Sequence, residues 1–343
     1  MNVKKIFMLF LTLSFLLGNN SNMLFAAKKV PVTIFNYIRA ETDMQFKAYA
    51  EKYGAFGKFY HMRKPYDVNH QITVRANQDT LYSCGIFDLT YPVVVTLPDV
   101  GNRYMSLSVI NQDHYDVLVF HPPGKFYITK ECVKTRYAFL LIRIFVNPKN
   151  PKDIEKVHKL QDKITVYQEK KGKLELPDWD MNGILKIRHA LEIIGTTVDS
   201  SRKMFGDKYS VDPIIHLIGT AIGWGGLPDN EAIYLNFTPE KNDGKTPYIL
   251  TFKPPILKTG FWSVTVYDKH GFLIKNKCNI YSYNNITAKK NKDGTVTIHF
   301  GGDPNSVNFI PIVKGWNYIV RLFRPSKDII EEKVKFPGAV PVK

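Results

Sequence analysis

The pattern of apolar and polar positions divides the chain into two textures. Residues 32–53 predict a helix: Ile34, Tyr37 and Ile38 share a face, and Met44 with Ala48 and Phe46 with Tyr49 keep helical spacing while broadening the stripe. Period-two patterning then takes over. PVVVTLP (92–98) is a β-branched run. RYMSLSVI (103–110) sets Met105, Leu107 and Val109 on one face and Tyr104, Ser106 and Ser108 on the other. RYAFLLIRIFV (136–146) is apolar on both faces and predicts a central strand. Turn residues separate these pieces, as in LPDVGN (97–102) and HPPGK (121–125).

From about 150 to 225 the period lengthens. Asn150-Pro151 signals a helix entry, and Ile154, Val157, Leu160 and Ile164 recur at helical spacing. GILKIRHALEII (183–194) and DPIIHLIGTAIGW (212–224) predict two more helices. Strands return between 230 and 330, in YILTF (248–252), FWSVTVYD (261–268), TVTIHF (295–300) and WNYIVRLF (316–323). The expected fold is mainly β (α+β): two β-sandwich or jelly-roll-like lobes joined by a helical segment. The expected parts are a β-rich domain with a leading helix over 28–150, a helical connection over 151–225, and a C-terminal β-sandwich over 226–343.

Residues 1–27 have the order of a signal peptide. Lys4 and Lys5 precede Ile6–Leu17, in which only Thr12 and Ser14 are polar, and Ala26 and Ala27 follow. The run is short for a membrane span, and no later segment reaches spanning length. The expectation is a periplasmic or secreted protein with no span in the mature chain; the alternative is an uncleaved anchor. The 343 residues are 44% hydrophobic, enough for a sizeable core. The net charge of +16 is mostly Lys scattered over loops and helices. A nucleic-acid binder would gather Arg and aromatics on one face, so nucleic acid is not an expected partner. Cys84, Cys132 and Cys278 leave room for one disulfide, and Cys84 is expected to be a small buried hydrophobe.

Several motifs are missing: there is no GxSxG, no HExxH and no phosphate-cradling GxxxxGK[ST]. GWGG (223–226) follows a helix rather than a strand and reads as a glycine-rich turn. NQDHYD (111–116) gathers Asp113, His114 and Asp116, with His121 beyond. In an extended strand they point both ways, and all converge only if the chain turns at Tyr115. The alternative is a solvated strand end. RANQDTLYS (75–83) places Arg75 and Asp79 four apart, where a loop would let them pair through a bidentate contact. The stretch is either a well-tied strand entrance or part of a site. In FWSVTVYD, Trp262, Val264 and Val266 form the expected core face, while Ser263, Thr265 and Tyr267 line either a cleft or a solvated face. His299 is expected to be exposed, and His216 to be a core histidine.

These motifs together resemble exported bacterial proteins that pair the domains of unknown function numbered twelve fifty-four and twelve fourteen. The first is suggested by NYIRAETD (36–43), VRANQDTLYS (74–83), FDLTYPVVVTLPD (87–99), RYMSLSVINQDHY (103–115) and TRYAFLLIR (135–143). The second is suggested by GWGGLPDNEAIY (223–234), GFWSVTVYD (260–268), NNITAKKNKDGTVTIHFGG (284–302) and GWNYIVRLFRP (315–325). Ala76 and Gln78 stand where relatives tend to have Pro and Arg, which loosens the loop and lowers its charge. The resemblance implies two β-sandwich-like domains with helices between them, and no reaction.

The function expected is binding of a small molecule, or an enzymatic reaction on one, between the lobes. Arg75 would hold an anionic group, and Asp79 or His114 would move a proton as the catalytic candidates. Tyr82 and Tyr267 would wall the site, and Asp113 completes the ligand-binding candidates. No metal ligand set and no cofactor is read from the sequence, and homo-oligomerisation stays open. The competing expectation is a non-catalytic binding or structural module of the envelope or secreted surface.

Overall fold

The computed structural model describes residues 29–71, 74–257 and 259–342, so the signal segment expected over 1–27 lies outside the described residues. The first lobe opens with α1 (Tyr37–Tyr53), closed by Gly54 at φ 61°. The expected start at 32 is too early. Asn36 folds its side chain back, accepting from Thr33 N–H at 2.7 Å and donating to the Pro31 carbonyl at 3.0 Å, and this holds 33–36 in a turn. There follow β1 (Tyr60–His61), β2 (Thr80–Asp88), β3 (Val93–Leu97), β4 (Met105–Asn111), β5 (Asp116–Phe120), β6 (Gly124–Ile128), α2 (Lys130–Val133), β7 (Tyr137–Phe145), α3 (Pro151–Asp162) and β8 (Thr165–Gln168).

An antiparallel sheet in the order β1-β2-β7-β4-β5 faces a smaller one, β6-β3-β8. Strand parity builds the core between them: Met105, Leu107 and Val109 meet Val93, Val95 and Leu97 together with Leu140, Ile142 and Ile144. β7 lies in the middle and is buried along all nine residues, as a strand apolar on both faces should be. On its other face Phe139 and Leu141 pack under Phe46 and Tyr49 of α1. The helix expected beyond residue 150 is capped by Asn150 and ends at Asp162. Ile164 fits the helical period, but the β-branched run that follows pairs with β3 as β8.

The chain continues through α4 (Met181–Gly195) and α5 (Pro213–Ile222), and the second lobe comprises β9 (Ala232–Phe237), β10 (Tyr248–Phe252), β11 (Trp262–Tyr267), β12 (Ser282–Asn284), β13 (Val296–Phe300), β14 (Phe309–Ile310), β15 (Asn317–Phe323), α6 (Lys327–Ile330) and β16 (Val340–Pro341). Two four-stranded sheets, β12-β11-β15-β9 and β14-β13-β10-β16, enclose its core. The expected parity of β11 holds: Trp262, Val264 and Val266 pack with Val320 and Leu322 against Leu250, Val296 and Phe300. The architecture is thus mainly β, with sixteen strands in four sheets and six helices among the described residues.

The lobes meet over an aromatic junction. Phe261 and Phe323 of the second lobe cluster with Tyr104 and Phe145 of the first, with ring centroids 4.2 Å apart for Phe145–Phe261 and 5.4 Å for Tyr104–Phe261. α1, α4 and α5 pack together through Tyr37, Ile184, Leu191 and Ile218. Among the described residues no helix is long and apolar enough to cross a membrane. Cys84 is buried as expected, and all three cysteines are free thiols. His299 is half-buried, not exposed, because its Nδ1 contacts the Val307 carbonyl at 2.7 Å.

Candidate functional site

A cavity of about 130 Å³ lies between the lobes. Arg143 and Arg321 both line it, although each sits in a central strand. Phase explains how. On β7 the residues at 138, 140, 142 and 144 enter the sandwich core, so 139, 141 and 143 face outward. On β15 the residues at 318, 320 and 322 do the same, leaving 319, 321 and 323 toward the first lobe. Tyr82 stands opposite Arg143 across β2–β7, and Tyr234 opposite Arg321 across β9–β15. Tyr82, Tyr234, Phe205 and Trp224 give the cavity aromatic walls.

Both guanidinium groups are nearly fully buried. Arg143 donates to Ser108 Oγ at 2.8 Å and to the Gly225 carbonyl. Arg321 donates to Thr265 Oγ1 at 3.1 Å, and to the Arg75 carbonyl and the Tyr267 hydroxyl, each at 2.6 Å. These partners are neutral, and neither guanidinium makes an ion pair among the described residues; the acids whose charge reaches them, Asp116 for Arg143 and Asp79 for Arg321, are buried with their pKa values pushed up. A buried cation normally has an anionic partner, because desolvation costs several kcal/mol per ion. Asn77 adds a donor: its Oδ1 accepts from Asp79 N–H at 2.9 Å, while its buried Nδ2 has no partner among the described residues. The wall at 223–226 needs its glycines. Gly225 has φ +80°, and a side chain at Gly226 would collide with the ring of Phe205.

Residues 56–168 match the DUF1254 family model and residues 231–327 the DUF1214 model, each described as a protein of unknown function. The chain belongs to the proteins that pair a DUF1254 domain with a DUF1214 domain. A crystal structure of the VPA0106 protein from Vibrio parahaemolyticus is similar over 90% of this chain and 98% of its own, with a TM-score of 0.66 and 21% identity. A putative uncharacterized protein from Burkholderia cenocepacia is similar over 90% of this chain and 88% of its own, at 0.51 and 14%. These likenesses speak to fold alone. The comparison with curated proteins gives no match. The DUF1254 domain supplies Arg143 and the DUF1214 domain supplies Arg321.

Of the residues singled out in the sequence, Arg75 and Tyr82 line the cavity. The expected Arg75–Asp79 pair does not form. Arg75, at φ 55°, donates its backbone N–H to the Gly271 carbonyl at 2.7 Å and its Nη1 to Asn317 Oδ1 at 3.1 Å. Asp79 is fully buried, and its Oδ1 accepts from Ser282 Oγ at 3.0 Å and Asn284 Nδ2 at 2.7 Å. Burial pushes its pKa up, against the pull of those hydrogen bonds. Tyr267 stands behind Arg321 and donates its hydroxyl to the Ala76 carbonyl at 2.7 Å. The loop reached by both domains thus ties them together while its Arg75 end borders the cavity.

The chain does turn within NQDHYD, at His114 with φ 60°, but the acidic and imidazole groups disperse. Asp113 points outward and pairs with Arg39 at 2.6 Å. His121 pairs with Glu231 at 2.8 Å. His114 is buried behind the cavity wall with both ring nitrogens engaged. Gly225 N–H donates to its Nε2 at 2.8 Å, so Nδ1 carries the proton and donates to Thr220 Oγ1 at 2.8 Å. Burial, then the neighbouring His216, hold the His114 pKa well below the usual imidazole range. His114 therefore fixes Gly225, whose carbonyl holds Arg143. His216 is a core residue as expected, its nitrogens against the Met204 and Asp113 carbonyls. Asp116 is buried with neither carboxyl oxygen hydrogen-bonded among the described residues; burial pushes its pKa up to about 7 although Arg143 pulls it down. No group of three or more His, Cys, Asp or Glu among the described residues is placed to hold a metal ion.

Sequence reasoning passed over Arg143 and Arg321, and a signal for them existed. FLLIRIF and YIVRLF each carry one charge in the middle of an apolar strand. A lone arginine there has a buried address and needs a reason for it.

Proposed function

We propose that the protein binds a small organic anion in the cavity between its DUF1254 and DUF1214 domains. The observation that carries this reading is the pair of buried arginines, one from each domain, bordering one cavity with neutral partners only. An anionic ligand supplies the ion pair that neither arginine makes among the described residues. The volume sets the scale: a cavity of about 150 Å³ takes a molecule the size of benzene, so a ligand of similar size fits the about 130 Å³ here. Aromatic walls suit an apolar body. The groups bordering the cavity donate hydrogen bonds or present rings, while Asp79, His114 and Asp116 stand behind them, which favours binding over proton transfer. Export, expected from residues 1–27, would put this binding in the periplasm or outside the cell.

The test is thermal melting with small acids, benzoate and butyrate among them, each against its neutral amide. A ligand at about 100 times its Kd stabilises by roughly 2.7 kcal/mol. Acids are expected to raise the melting temperature, amides to leave it unchanged, and Arg321→Gln to remove the response. If no acid shifts the melt, the cavity is not an anion site.

A further inference from the structure

We propose that the ligand is a short dicarboxylate, one acid group on Arg143 and the other on Arg321, so that it cross-links the two domains. This rests on the reading of the cavity as an anion site and adds the charge and shape of the ligand. The two arginines come from different sheets of different domains and meet at the same cavity. Each keeps donors in reserve. A guanidinium carries five N–H groups; two contacts from Arg143 and three from Arg321 are made to the protein. The remaining N–H groups are enough for a carboxylate at each end.

Charge counting favours two acids over one. A monoanion would neutralise one arginine while its body displaced water from the other, leaving that charge buried and unpaired. A dianion cancels both. Asp116 is the acid whose charge reaches Arg143, but it makes no ion pair with it, and burial raises its pKa to about 7. It therefore supplies only part of a counter-charge near neutrality. Tyr267, behind Arg321, is a hydroxyl and supplies none. Asp79 is the acid whose charge reaches Arg321, but it makes no ion pair with it and burial pushes its pKa up, so it too falls short of a full counter-charge. Leu141, Phe205, Trp224 and Ile319 line the same cavity with apolar surface, which suits a methylene chain. With room comparable to a benzene-sized cavity, the chain has about four to six carbons in all.

The experiment is calorimetric titration of the full chain with succinate, glutarate and adipate, and with butyrate, pentanoate and hexanoate as partners of matched length. At least one dicarboxylate is expected to bind tenfold or more tightly than its matched monocarboxylate. Arg143→Gln and Arg321→Gln should each lower that dicarboxylate's affinity at least tenfold. The comparison within the unaltered protein decides the matter even where a variant fails to fold. Matched acids binding equally would overturn the dianion while leaving the anion site standing. Binding of neither series would overturn both.

Discussion

Asp116 and His114 lie two residues apart and are buried, yet they respond to pH in opposite senses. The folded chain keeps a proton on Asp116 that the unfolded chain has released between the ordinary value of 3.8 and about 7. Stability contributed at this position is therefore highest in acid, falls as pH rises through that window, and levels off above it. His114 is held neutral, so the unfolded chain takes up a proton that the folded chain refuses, and stability is lost as pH falls below the ordinary imidazole value of 6.5. The prediction concerns the acid. Asp116→Asn is isosteric and cannot ionise, so its stability relative to the unaltered protein should climb between pH 4 and pH 7 and then plateau. At 1.36 kcal/mol per pKa unit the gain reaches at most roughly 4 kcal/mol. Urea titrations at four pH values measure it; a difference that stays flat with pH would show that Asp116 ionises normally in the fold.

At the scale of elements, the 75–79 loop shows what a sequence can and cannot reveal. Its density of polar groups marked it as tied down, and it is, but to partners about 200 residues away. Asp79 meets β12 through Ser282 and Asn284, and Arg75 meets Asn317 at the start of β15. Having no shared hydrogen-bond partner, the two should act independently. A double-mutant cycle of Arg75→Ala and Asp79→Ala is expected to show coupling below about 0.5 kcal/mol, with Asp79→Ala the costlier change, about 1–3 kcal/mol, because it leaves Asn284 and Ser282 unpartnered in a buried place. Coupling well above that limit in thermal melts would restore the pair. Strand texture and parity were legible, as at Trp262, Val264 and Val266, because one face of each strand must enter its own sandwich. The other face is where reading stopped. Leu141 and Arg143 alternate with core residues in a run apolar on both sides, and nothing local says that their face meets a second lobe. The turn at His114 was equally hidden, since it is set by Asn111, whose side-chain oxygen accepts from the backbone of Asp113 and Tyr115.

For the whole molecule, the position of the cavity makes domain contact and binding one property. Tyr104 and Phe145 on one side and Phe261 and Phe323 on the other form a closed aromatic cluster, and Phe323 also borders the cavity. Phe261 touches all three of its companions, with centroids 5.4 Å from Tyr104, 4.2 Å from Phe145 and 4.1 Å from Phe323. Removing its ring leaves a void that the two sheets cannot easily close, since each is held by its own sandwich core. Phe261→Ala is therefore expected to cost about 3–5 kcal/mol. Part of this is the loss of ring–ring contacts worth about 0.5–1.5 kcal/mol each beyond buried area. Because the junction also sets the relative position of Arg143 and Arg321, the same change should weaken binding of any acid that needs both. Calorimetric melting of the unaltered protein should show one transition, the lobes unfolding together. In Phe261→Ala the transition should move down and broaden or divide as the lobes uncouple. Two well-separated transitions already present in the unaltered protein would mean that the lobes are stable apart, and that the aromatic junction does not govern the cavity.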